Sequence, residues 1–68
     1  MTVEALLEQL RNEETVARGM SFHYGAKAMD NDWYDEEERA EFRNIADCNH
    51  KEAERLRAII REIEKRVA

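Results

Sequence analysis

Proline is absent from this chain and glycine occurs only twice, so the residues that most often break helices are nearly missing. One cysteine excludes an intrachain disulfide, and it fits a reducing compartment without requiring one. Nowhere does an apolar run approach the ~20 residues that a membrane-crossing helix needs, and no signal peptide opens the chain. Gly-rich phosphate loops, Cys-x-x-Cys pairs and a Ser/His/Asp arrangement are also missing, which removes the usual support for nucleotide, redox-thiol and hydrolase chemistry. The expectation is a soluble, cytoplasmic protein.

What remains is charge and helical periodicity. Of the 68 residues, 40% are charged, with a net charge of -5. Seven carboxylates against Arg39 alone fill the stretch from Asp30 to Glu41, whereas the last eighteen residues hold six Lys or Arg against four Glu. Those basic residues alternate with Glu52, Glu54, Glu62 and Glu64, so no unmasked positive stripe exists for a nucleic acid.

The second half carries the clearest pattern. Phe42, Ala46, Asn49, Ala53, Leu56, Ile60, Ile63 and Val67 follow one another in alternating steps of four and three, the a/d seam of packed helices. Asn49 is its one polar member and reads first as a residue that fixes register. Ile45 and Ile59 widen the stripe, so this helix is expected to touch more than one neighbour. Its start is marked by Asp35 with Glu38, an acidic analogue of the capping box, and its end by Lys65 and Arg66.

In the first half Thr2 is an N-cap candidate, followed by Val3, Leu6, Leu7 and Leu10 at helical spacing. Glu13 and Glu14 interrupt that stripe before it resumes through Val16, Ala17, Met20, Tyr24 and Ala28. Gly19 and Gly25 leave open a kink, or the close approach of a bulky side chain such as Phe22, His23, Tyr24 or Trp33. Asp30, Asn31 and Asp32 read as the turn.

The prediction is therefore an all-α, single-domain antiparallel hairpin: helix one about residues 2–29, a turn about 30–34, and helix two about 35–67. One such hairpin has a single contact line and cannot cover so wide a stripe. Two related by a two-fold axis give a four-helix bundle, so homodimerisation, or a larger ring, is expected.

Bundle enzymes bind paired metals with single glutamates and Glu-x-x-His pairs. Asp47-x-x-His50, with Glu13 or Glu14 opposite, is the nearest approach to that set, the alternative being a solvated helix flank. His23 and Cys48 read as structural residues.

Glu13-Glu14-Thr15-Val16, Asp32-Trp33-Tyr34-Asp35 at the turn, and Ile45-Ala46 with Asn49 together resemble the encapsulated ferritins, over about Leu10 to Ile63. That resemblance implies a hairpin that pairs and assembles into rings, an association with a protein shell, and oxidation of ferrous iron at a site between subunits. Its ligand positions fall here on Lys27 and on or near Ala53 and Leu56, none of which can hold iron. Either the scaffold alone is shared, with an ammonium at Lys27 where relatives hold metal, or Glu14, Asp47 and His50 form the site from another layer. The competing expectation is a non-catalytic interaction or regulatory module that binds a protein partner.

Overall fold

The computed structural model describes residues 1–67, which form two α-helices and no strand. Helix α1 runs Val3–Ala28 and α2 runs Glu36–Val67. The hairpin measures 48 × 15 × 14 Å. Its long axis is that of α2, since 32 residues rising ~1.5 Å each span about 48 Å.

Local chemistry sets each boundary. Thr2 is extended, and its Oγ1 accepts a hydrogen bond from the Ala5 amide at 3.1 Å, satisfying one of the orphan donors of the first turn. At the other end of α1 the amides of Met29 and Asp30 donate to the carbonyls of Ala26 and Lys27 at 3.2 and 3.1 Å, which closes the helix without a left-handed residue. The Asp30 carboxylate then accepts from the amides of Asp32 and Trp33 at 3.1 and 3.3 Å, folding the connection into an Asx turn. Asp35 and Glu38 cap α2 reciprocally: the Glu38 amide donates to Asp35 Oδ1 at 2.8 Å and the Asp35 amide to Glu38 Oε1 at 3.2 Å.

The seam of α2 lies where its spacing predicts from Phe42 to Ile63, but its last predicted member, Val67, is 56% exposed at the helix end, beyond the reach of α1. Ala53, Leu56 and Ile60 are buried, while Phe42, Ala46, Asn49 and Ile63 are half-buried. Helix α1 differs from the sequence reading. Leu7, Ala17 and Ala28 are buried, and the three-and-four alternation that joins them passes through Leu10, Glu14, Ser21 and Tyr24. Val16 and Met20, expected in the stripe, sit one position off this line and are 65% and 39% exposed. Seam geometry has overridden side-chain hydrophobicity here, and the charge of Glu14 is met by Arg18, whose Nε donates to Oε2 at 2.8 Å.

Gly19 and Gly25 neither break α1 nor admit a neighbour. The helix is continuous through both, and a Cβ built at either would meet nothing within 4 Å. Of the four side chains considered for such an approach, Phe22 and Trp33 are 82% exposed.

Aromatic rings close the turn end. Tyr24 packs on Phe42 with ring centroids 5.8 Å apart, and Tyr34 meets Phe42 edge-on at 4.8 Å. Lys27 extends its ammonium among all three, 5.4 Å from the Phe42 centroid, 5.5 Å from Tyr24 and 6.0 Å from Tyr34.

Candidate functional site

The two long sides of the hairpin are unlike. Along one, Arg11 reaches across to Glu64 at 2.9 Å and Arg18 to Glu54 at 3.4 Å, so charged side chains lace the helices together over the seam. Arg18 is shared between Glu14 and Glu54, and the hydrogen-bonded Glu14 carboxylate holds its guanidinium above the ordinary arginine range. Each such exposed pair contributes little by itself, but together they cover the apolar line beneath.

On the other side the helices leave a groove of about 620 Å³. Val16 and Ala17 of α1 and Leu56 of α2 form its apolar floor, extended toward the N-terminus by Ala5. Glu8 and Glu13 from α1 and Glu52 from α2 stand around it, with Gln9, Asn12 and Asn49 between them. Met20, one turn beyond Val16, and Ile45, one turn before Asn49, are both 39% exposed and continue the apolar surface toward the turn.

Charge on this face is one-sided. Arg55, which also feels the Glu13 charge, is engaged: its Nε donates to Glu52 at 3.0 Å. That hydrogen bond holds the Glu52 carboxyl below its usual range and raises Arg55, with the nearby Glu13 charge adding to the latter. Asn49 turns its amide back to its own helix, donating to the Ile45 carbonyl at 2.9 Å, so it makes no bond across the seam.

The residues singled out for metal chemistry are not gathered. Glu14 is held by Arg18, Asp47 and His50 are exposed on α2, and among the described residues no group of three or more His, Cys, Asp or Glu side chains could hold a metal ion. The spacing of Asp47 and His50 puts both on one side of α2, which is necessary for joint ligation and falls short of supplying a third ligand. The positions to which the family resemblance assigns ligands hold seam and ring-packed residues: Ala53 and Leu56 are buried, and Lys27 sits among Tyr24, Tyr34 and Phe42. Cys48 is an exposed free thiol. No helix among the described residues is long and apolar enough to cross a membrane.

Comparison with known proteins found no matching family model, no matching curated protein and no matching solved structure.

Sequence reasoning missed the groove. Its signal was present in Val16 and Met20, apolar residues one step off a three-and-four line that continues without them, but deciding the line required the partner helix.

Proposed function

We propose that this chain is a non-catalytic protein-interaction module, a helical hairpin that completes its core by taking further helical surface onto its open face. The supporting observation is area. A compact monomer of 8.1 kDa exposes about 4,500 Å². This chain exposes 5379 Å², roughly 900 Å² more. Such a surplus goes with the elongated 48 × 15 × 14 Å outline, which a further layer of helix would make more compact. On the open face the exposed apolar side chains are Val16, Met20 and Ile45, and Phe22, Met29 and Trp33 are exposed outside it.

Two copies seated face to face make the four-helix bundle that the sequence led us to expect. Such pairing brings Glu8, Glu13 and Glu52 of each copy toward the same residues of the other. Like charges brought together repel, and more strongly where water is excluded. Homodimerisation through this face is therefore weak at low salt. Iron oxidation by Glu14, Asp47 and His50 requires ligands from more than one chain and the release of Glu14 from Arg18.

Light scattering on the wild-type chain and on Val16→Asp, with binding of an environment-sensitive apolar dye on the same samples, tests the module reading. The expected result is either a mass above 8.1 kDa that Val16→Asp reduces to the monomer, or a monomer whose dye binding Val16→Asp removes. A monomer that binds no dye, or one whose dye binding is indifferent to Val16→Asp, refutes it.

A further inference from the structure

We infer that the occupant for which the open face is matched is a cationic amphipathic helix of another protein. The inference rests on the interaction-module reading and names the partner's chemistry. The floor is apolar and the rim carries the carboxylates Glu8 and Glu13, while Glu52 and Arg55 offset each other in an ion pair beside them. A groove of this kind takes a helix that sets apolar side chains at i, i+3, i+4 and i+7 into the floor and flanks them with lysine or arginine. From Ala5 to Ala17 the lining covers about 18 Å of α1, the rise of three to four helical turns. The net charge of -5 draws such a helix in from solution. A second copy is the poorer match, since pairing through this face sets its acidic rim against the same acidic rim. On the opposite side Arg11–Glu64 and Arg18–Glu54 bridge the helices.

The test uses the full chain and two synthetic 18-residue helices that share a leucine stripe, one flanked by lysines and the other by glutamates, with binding followed by fluorescence anisotropy. The lysine-flanked helix should bind at least about tenfold more tightly, and its affinity should fall as salt is raised. The double variant Glu8→Lys, Glu13→Lys should reverse the preference, because both residues are exposed and the seam is left intact. Val16→Asp should abolish binding of both helices while helix content by circular dichroism is retained. Absence of binding, equal affinity for the two helices, or a preference indifferent to the charge reversal overturns the inference. So does a stable dimer that the lysine-flanked helix fails to dissociate, and in that case the module reading survives with a second copy as its partner. If Val16→Asp alters neither mass, dye binding nor peptide binding, both readings fall together.

Discussion

Replacing Ile60 by alanine tests whether the seam carries the hairpin. Ile60 is 5% exposed and lies near the free end, where the three leucines of α1 are concentrated. The substitution removes three carbon atoms, worth about 0.8 kcal/mol each in transfer, and leaves a cavity whose lining relaxes only in part. The expected cost is about 2–4 kcal/mol. A chain of this size has a stability of roughly 3–10 kcal/mol, so the loss is a large fraction of the total. For a domain of 60–100 residues each kcal/mol moves Tm by about 4–8 °C, which predicts a fall of at least about 8 °C in thermal unfolding followed by far-ultraviolet circular dichroism. Val16→Ala is the matched control. At 65% exposure it should move Tm by no more than about 2 °C in the isolated chain. An Ile60→Ala protein that melts within 2 °C of wild type refutes the assignment of the seam, and a Val16→Ala effect as large as that of Ile60→Ala shows that the open face is already covered in solution.

Gly19→Ala and Gly25→Ala should each raise stability by about 0.5–1 kcal/mol in urea unfolding, because both glycines lie inside a helix with open space where the methyl would go. Asp35→Ala removes one half of the reciprocal cap and should cost about 1 kcal/mol, whereas Asp35→Asn should cost much less. Lys27→Gln withdraws a cation from three rings and should lower stability by about 1 kcal/mol, checked by the same urea titration. Glu52 has its carboxyl held below the usual range in the folded chain, so its contribution is present above the ordinary carboxylate pKa and disappears as pH falls through the lowered value. Glu52→Gln should therefore flatten the acid limb of the stability profile, measured as Tm against pH, and an unchanged limb refutes the pairing with Arg55.

Much of this fold is written in short-range sequence signals. Thr2, Asp30 and the Asp35 and Glu38 pair act within three residues of themselves, so their side chains alone indicate where the helices start and the chain turns. The seam of α2 is equally plain, because polar residues surround it and Asn49 is its single exception. Helix α1 is harder to read, since its line passes through Glu14 and Ser21 while greasier Val16 and Met20 lie beside it. Only the position of α2 decides between the two lines. The contacts of Lys27 with Tyr34 and Phe42 cross the turn and leave no periodic trace. The open face was hidden for a further reason: which flank of a seam stays uncovered depends on where long side chains such as Arg11 and Arg18 find their carboxylates. For the metal reading, spacing could show that Asp47 and His50 share a side of α2 but not that a third donor would converge on them.

Ala17 and Ala53, both buried, put small side chains at the middle of a contact whose two ends are filled by branched aliphatics and by rings. The helices thus meet in the outline of an hourglass. Sliding α1 by a heptad either way would drive Leu10 or Tyr24 into the waist, and sliding α2 one way would drive Ile60 there. The opposite slide of α2 keeps a small residue, Ala46, at the waist but sets Ala53 where Ile60 packs, opening a void at the free end. Exactness of alignment in this protein is thus owed to its smallest buried side chains.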